Sequence, residues 1–214
     1  MKRILPFLLC GLPLWCQSVS FGVKAGVPLG DALSAAEGTA STQSIGTQRW
    51  TAGVTVELNL PASVSIGGDA LYRRFSYSSF SNFVVTSFTN SNTGHWEFPV
   101  YAKYRFGKGP VRPYVEAGFA FDRASTSGTT GCTGGEVPAG SLCGSVPASS
   151  TFSSSQWGAG VLVGGGVEIK VPFVKIAPEV RYTRWEKGVF SQVPEALDAS
   201  SQPNQAEVLL GIRF

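Results

Sequence analysis

The chain has 214 residues, of which 43% are hydrophobic and only 14% are charged, and its formal net charge is +3. The apolar content is too high for a disordered chain, and no uninterrupted apolar run reaches the length of about 18 residues that a membrane-spanning helix needs. Lys2 and Arg3 belong to a segment that we expect to be removed, which lowers the charge to +1 and leaves no basic stripe for a nucleic-acid partner.

Residues 1–18 have the features of a secretory signal peptide, in which two basic residues precede an apolar core. Cleavage after Ser18 would follow small residues at alternate positions. A lipoprotein signal ending at Cys16 is the alternative, but Trp15 is not the small residue that such a signal places before its cysteine. We therefore expect an exported chain with one folded domain over 19–214.

From residue 19 onward, apolar side chains recur at every second position in eight segments, which is the period of a β-strand with two unlike faces. In chain order the segments cover 19–27, 50–58, 64–72, 96–106, 115–121, 157–169, 174–182 and 206–214. Tight connections alternate with long polar ones. The tight ones are 59–62, 107–111 and 171–173, and the long ones are 28–48, 76–94, 124–155 and 187–203. The pattern predicts an all-β fold of eight antiparallel strands in an up-and-down meander.

The alternate positions carry a second, ionic face with nine basic and eight acidic groups. These residues are Lys24, Arg49, Glu57, Asp69, Arg73, Glu97, Lys103, Arg105, Glu116, Asp122, Glu168, Lys170, Lys175, Glu179, Arg181, Glu207 and Arg213. Buried charges must pair or cost several kcal/mol each, so the balance predicts a paired ion network if this face is enclosed.

Alternation alone does not say which face is enclosed. A water-soluble eight-stranded barrel would turn its apolar face inward, whereas a membrane barrel would turn that face to lipid and enclose the charges. The expected export, the alternation of short and long connections, and the glycines beside the charged positions favour the membrane barrel. We therefore predict a closed transmembrane barrel whose lumen holds the ion network.

Aromatic residues at the outer ends of the strands support this orientation, because a membrane–water interface selects amphipathic rings at one level. The predicted girdle consists of Trp50, Tyr72, Trp96, Phe121, Trp157 and Tyr182. Arg74, Arg123 and Arg184 follow two residues after a girdle aromatic, on the same face. Arginine at this depth must reach the head groups, and a guanidinium suits phosphate, so we expect these three to contact lipopolysaccharide, with snorkelling to no particular lipid as the alternative.

Two residues fit the pattern badly. Pro99 and Pro178 lie inside strands that have no free edge, where each removes one ladder hydrogen bond. We expect a local bulge at each proline.

The mature chain, with its eight amphipathic segments and its terminal Leu210-Gly211-Ile212-Arg213-Phe214, resembles the small OmpA/OmpX-type outer-membrane barrels of Gram-negative bacteria. The resemblance implies a location in the outer membrane, contact with outer-membrane lipid, a monomeric state and no cofactor. It further implies that Phe214 is part of the signal read by the outer-membrane assembly machinery. The chain ends at Phe214, so we expect no peptidoglycan-binding domain to follow the barrel.

The predicted function is structural or surface-interacting. Eight strands enclose only enough space for side chains, so a lumen full of charges indicates a plug, and a narrow channel for ions or small solutes is the alternative. A lipid A-modifying hydrolase is a third, weaker reading. Its pattern would place Ser two residues after His95, where Glu97 stands, so we expect His95 to be a hydrogen-bonding residue of the outer rim and predict no enzymatic activity.

The long connections are expected to carry recognition of a surface ligand, because in such folds the loops vary on a constant scaffold. Cys132 and Cys143 lie in a Gly-, Ser- and Thr-rich stretch of an exported chain, which predicts a disulfide. Several aromatic and aliphatic residues over 80–88 would either extend a hairpin beyond the membrane or contact a partner.

Overall fold

The structure is a computed structural model that describes residues 19–30, 33–35, 41–47, 50–82, 86–133, 149–186, 199–201 and 203–214. The predicted signal peptide, Arg49 and Cys143 lie outside these residues. Within them, no helix is long and apolar enough to cross a membrane.

Eleven strands are present in the described residues. Their bounds are β1 Val19–Pro28, β2 Leu33–Ala35, β3 Ser41–Thr47, β4 Thr51–Asn59, β5 Val64–Asn82, β6 Thr86–Arg105, β7 Val111–Thr133, β8 Ser149–Lys170, β9 Lys175–Trp185, β10 Ala199–Ser201 and β11 Asn204–Arg213.

Eight of these strands close into a ring in which every neighbour is antiparallel. The ladder runs from β1 through β4, β5, β6, β7, β8 and β9 to β11, and β11 pairs again with β1, for example at Ala25–Leu210. A closed ring pairs the backbone of each strand on both sides, which a membrane requires because lipid offers no hydrogen bonds. The predicted eight-stranded up-and-down barrel is thereby confirmed. Outside the ring, β3 pairs with the outer part of β5, and β2 pairs with β10.

The two faces of the strands differ as the alternation predicts. The apolar series points outward, with Val54 58% and Leu210 47% exposed, while Glu57 and Glu207 on the alternate positions are buried. The aliphatic side chains on the outside suit a surrounding lipid bilayer, and the charged side chains on the inside fill the lumen. The alternative of a water-soluble barrel with an apolar interior is therefore wrong.

Four strands are much longer than the sequence pattern indicates. The segment 76–94, predicted as a connection, is largely strand, because β5 continues to Asn82 and β6 begins at Thr86. Likewise, β7 continues to Thr133 and β8 begins at Ser149. Beyond the aromatic girdle both faces of the sheet meet water, so no alternation remains in the sequence although the ladder goes on. Residues 80–82 and 86–88 extend a hairpin, which is one of the two alternatives considered for this segment, with Phe80 opposite Phe88, and residues 83–85 lie outside the described residues.

The expected bulges at Pro99 and Pro178 are wrong. Pairing of β6 with β5 stops at Val100–Gly68 and resumes at Glu97–Leu71 in the same register. A proline takes away one N–H donor but adds no residue, so the ladder opens over two pairs and then closes again. Pairing of β9 with β8 opens in the same way around Pro178.

Candidate functional site: the barrel interior and the outer rim

The charged residues that point into the barrel form three clusters at different depths. We name them the basal cluster, near the tight turns, the central cluster, and the outer cluster, below the long hairpins. Each cluster joins residues that are distant in the chain, because the closed ladder brings all eight strands around one axis.

The basal cluster consists of two glutamates and three arginines. Glu168 lies 3.0 Å from Arg105 and 2.6 Å from Arg213, and it is also paired with Arg112. Glu57 is paired with Arg105 and Arg213. Arg112 was missed by the sequence analysis, because the alternation was traced only from residue 115 although β7 begins at Val111. Its position four residues before Glu116, on the same face of the strand, was the sequence signal that could have found it.

The central cluster places three cations among three carboxylates, with no side chain more than 6% exposed. Arg181 lies 2.8 Å from Asp69, 2.9 Å from Glu179 and 3.1 Å from Glu116. Charge-assisted contacts of this length are among the stronger hydrogen bonds in proteins. The arginine is therefore held from three strands at once.

Two lysines and a tyrosine complete the central cluster. Lys24 lies 2.8 Å from Asp69, and Lys103 lies 3.3 Å from Glu116. The Tyr101 hydroxyl donates to Asp69 at 3.0 Å. The centroid of the Tyr101 ring lies 5.2 Å from the Lys24 ammonium nitrogen and 5.1 Å from that of Lys103. One aromatic ring thus packs against the cations while its hydroxyl group satisfies a carboxylate.

The outer cluster is built around Arg73. Its guanidinium lies 3.2 Å from Glu97 and 3.0 Å from Glu207, and its Nε donates to His95 Nδ1 at 3.3 Å. His95 Nε2 lies 3.0 Å from an Asp122 oxygen. Since Nδ1 accepts from the arginine, Nε2 carries the proton and donates it to the aspartate. Both ring nitrogens are therefore engaged, and neither is left for a serine hydroxyl.

His95 does not lie at the outer rim, where the sequence placed it. It is 1% exposed inside the barrel, with its ring edge-on to Phe75 at 5.9 Å and to Trp185 at 6.3 Å. Alternation along β6 turns residue 95 inward with Glu97, so the two-residue period was the signal that favoured this burial.

An apolar layer separates the outer cluster from the central one. It consists of Leu71, Ala120, Leu162 and Leu209, each at most 1% exposed. Along β5, Leu71 stands between Asp69 of the central cluster and Arg73 of the outer cluster. Ala120 stands likewise between the Glu116 and Asp122 positions of β7. The charges therefore do not form one continuous column through the barrel.

Two predicted members of the ion network are placed differently by the structure. Lys170 is exposed, because β8 ends there at the tight turn and its inward position lies beyond the interior. Lys175 is half-buried at the same end and donates to the Ser20 hydroxyl at 3.1 Å. Both residues occupy inward-facing positions of their strands, as predicted, but they lie at the strand ends, where the interior meets water.

The six girdle aromatics all point outward at the outer half of the barrel. Tyr72 is half-buried and the other five are exposed. The Tyr72 and Trp96 rings are 5.0 Å apart, and Trp96 stacks on Phe98 at 6.2 Å. Exposed aromatic residues that the predicted girdle did not include lie at the opposite end of the barrel. They are Phe21, Tyr104, Phe106, Phe173 and Phe214.

The three arginines that follow girdle aromatics are exposed on the outward face. The Arg123 guanidinium lies over the Trp157 ring, 5.5 Å from its centroid. Arg74 is paired in register with Gly94, and Arg184 with Val161. Cys132 lies in β7 opposite Ser87, while Cys143 is outside the described residues, so their disulfide stays a prediction.

The chain is similar to known proteins in its sequence family and among solved structures. A family described as "Outer membrane protein beta-barrel domain" matches residues 15–184. Among solved structures, the neisserial surface protein A is 18% identical over 92% of this chain and 95% of that chain, with a TM-score of 0.47. The N-terminal β-barrel domain of Pseudomonas aeruginosa OprF is 13% identical over 92% and 97%, with a TM-score of 0.42. OprG from the same organism is 10% identical over 92% and 94%, with a TM-score of 0.46. No curated protein matches the chain.

Proposed function

This chain belongs to the family of outer-membrane protein β-barrel domains, and we propose that it is a closed, non-conducting barrel that presents a protruding polar sheet at the cell surface. The observation that carries the proposal is the filled interior. Three clusters of buried ion pairs and the layer of Leu71, Leu162 and Leu209 occupy the lumen. Water and ions could cross the barrel only if both the ion-pair clusters and the apolar layer were displaced.

The protruding sheet supports a role in surface interaction. Above the girdle, β3, β5, β6, β7 and β8 continue side by side, whereas β9 ends at Trp185 and β1 at Pro28. The outward positions of this extension are mostly serine, threonine and asparagine. In the described part of the chain, β8 pairs with β9 only from Gly160, so residues 149–158 form an edge. Such an edge offers backbone groups to an extended partner.

A narrow channel is the second candidate, and the charged clusters on both sides of the apolar layer favour it. Recordings in planar bilayers distinguish the two. We expect no steady, reproducible conductance from the wild-type barrel. The double variant Leu71→Ala/Leu209→Ala opens the apolar layer and should conduct, whereas Leu210→Ala on the lipid-facing side should stay silent. A stable unitary conductance in the wild type would contradict the closed barrel.

Surface presentation is tested separately by labelling intact cells with a membrane-impermeant maleimide. In a background with Cys132 and Cys143 replaced by serine, Ser127→Cys on the protruding part of β7 should react. Lys108→Cys, in a tight turn, should react only after the outer membrane is permeabilised. The reverse result would mean that the sheet points into the periplasm.

We include no enzymatic activity and no cofactor in the proposal, since His95, a base considered for lipid hydrolysis, is engaged by Arg73 and Asp122. The proposal treats the chain as a monomer because each barrel strand is paired on both sides and offers no membrane-embedded edge to a second copy. Biogenesis through the outer-membrane assembly machinery, with Phe214 in its signal, belongs to the same proposal.

A further inference from the structure

A row of three cations crosses neighbouring strands at the tight-turn end of the barrel. Lys175 on β9 is paired in register with Arg213 on β11 and with Lys170 on β8. Residues directly opposite each other on neighbouring strands share one face of the sheet, and the buried Arg213 shows that this face is the inward one. The three positive charges therefore stand side by side at the mouth of the barrel, over two strand spacings or about 10 Å.

A tight hairpin fixes the two lysines opposite each other. Val171 and Val174 exchange both backbone hydrogen bonds, with N–O distances of 2.9 and 3.3 Å, so only Pro172 and Phe173 form the turn. A shift of the register by one residue would turn the apolar face of the strand toward the lumen, so the pairing cannot relax in this way. Like charges directly opposite each other destabilise a sheet, and this hairpin keeps them there.

The two lysines lack the carboxylate partners that the other described cations of the interior have. Lys175 donates to the Ser20 hydroxyl at 3.1 Å, and no ion pair among the described residues involves either lysine. Arg213 in the same row is paired with Glu57 and lies 2.6 Å from Glu168. The compensation by carboxylates therefore ends at Arg213 and does not extend to the two lysines.

The tight-turn end consequently carries a surplus of positive charge. The basal cluster contains three arginines and two glutamates, and the lysine pair raises this to five cations against two carboxylates within the described part of the chain. Even a free carboxylate on Phe214 would leave this end positive. Arg112 Nε is also buried there without a hydrogen-bond partner among the described residues. A surplus of one sign at a mouth raises the local concentration of ions of the opposite sign.

We propose that Lys170 and Lys175, with Arg112 beside them, bind the carboxylates of an acidic peptide polymer on the periplasmic side, such as the peptide stems of the cell wall. This inference rests on the proposed function, in which the tight turns face the periplasm. Two ammonium groups one strand spacing apart can both donate to one carboxylate. Lipid suits these lysines less, because it surrounds the outward face, where Ile169 points, whereas the lysines point toward the barrel axis and the water beyond it.

The test measures co-sedimentation of the purified, folded barrel in non-ionic detergent with purified cell-wall sacculi at low ionic strength. The wild type should bind, and Lys170→Gln/Lys175→Gln should weaken binding by about fivefold or more, because two contacts to carboxylates are lost. Amidation of the sacculus carboxyl groups should abolish binding of the wild type. The assay uses purified protein and does not depend on orientation in the cell, which the labelling of Lys108→Cys tests separately.

Lys108→Gln/Arg184→Gln is the matched control. Lys108 is exposed in another tight turn and Arg184 is exposed on the outward face, so this variant removes the same net charge outside the row. It should bind sacculi as the wild type does. The double lysine variant should also keep or raise the free energy of unfolding, since it removes repulsion between like charges. A heat-dependent shift on gels confirms that each variant is folded.

Several outcomes would overturn the proposal. Equal loss in the control variant would mean that net charge governs binding, and unchanged binding to amidated sacculi would exclude carboxylates as the ligand. Release by millimolar inorganic phosphate at constant ionic strength would assign the row to a phosphate group. Full binding by the double lysine variant would exclude the row, and a simultaneous loss of stability would assign the lysines a purely structural role.

Discussion

The Arg181 guanidinium lies 2.8 Å from the Asp69 carboxylate across the barrel interior, where both side chains are buried, although 112 positions separate the two residues in the chain. Glu179 and Glu116 contact the same guanidinium. The interior is therefore organised around cations shared by several strands, and the loss of one such cation leaves more than one carboxylate uncompensated.

Replacement of Arg181 by methionine should strongly destabilise the barrel. Removal of one partner from a buried ion pair costs about 3–5 kcal/mol, because the remaining charge stays buried without compensation. The free energy of unfolding, measured by denaturant titration of the folded protein in detergent micelles, should fall by this amount. Arg184→Met changes an exposed arginine three residues further along the same strand and should alter the free energy of unfolding by less than about 0.5 kcal/mol. Equal effects of the two changes would contradict the central cluster.

Gly67 and Gly68, which are consecutive in β5, should differ sharply in their tolerance of an alanine methyl group. A Cβ on Gly67 would lie 2.6 and 2.8 Å from the Cζ and hydroxyl oxygen of Tyr101, whereas a Cβ on Gly68 would meet only a carbonyl oxygen at 3.7 Å. Gly67→Ala should therefore cost about 1–3 kcal/mol through overpacking, and Gly68→Ala should be nearly neutral. The same denaturant titration measures both, and a larger cost for Gly68→Ala would show that the faces are misassigned.

His95 should occur as a single neutral tautomer with the proton on Nε2. Arg73 donates to Nδ1 and Asp122 accepts from Nε2, so the two partners together select this form. Nitrogen chemical shifts of the imidazole in the micelle-embedded protein measure the tautomer directly. Asp122→Ala removes the acceptor and should broaden or mix the two signals. A proton on Nδ1 in the wild type would be incompatible with the outer cluster.

The barrel itself could be predicted because lipid on one side and a packed lumen on the other impose a period of two on every strand. This explains why Val54, Val100 and Leu210 were assigned to the outward face and Glu116 to the lumen, as the structure has them. The same reason accounts for the underestimated strands. Ser76 and Ser127 lie where both faces meet water, so the ladder continues without a sequence pattern.

Contacts inside the lumen could not be predicted from the sequence. The balance of charges indicates a network, but which carboxylate meets Arg181 or Arg73 depends on the stagger between strands, and the alternation does not contain that stagger. Strand ends pose a related problem, since Lys170 has the inward parity of Glu168 but lies beyond the enclosed part of the barrel.

Phe214 should matter more for assembly in cells than for the stability of the finished barrel. Its backbone N–H donates to the Phe21 carbonyl at 2.8 Å, whereas its ring is 70% exposed. Phe214→Ala keeps the backbone bond, so the free energy of unfolding of protein refolded in detergent should change by about 1 kcal/mol or less. The amount of heat-modifiable protein in outer-membrane fractions should nevertheless fall several-fold, because the terminal aromatic belongs to the expected assembly signal. Phe173→Ala removes another exposed ring at the same end of the barrel and should leave the amount of heat-modifiable protein unchanged. An equal decrease with Phe173→Ala would mean that any aromatic residue at this end serves the same purpose.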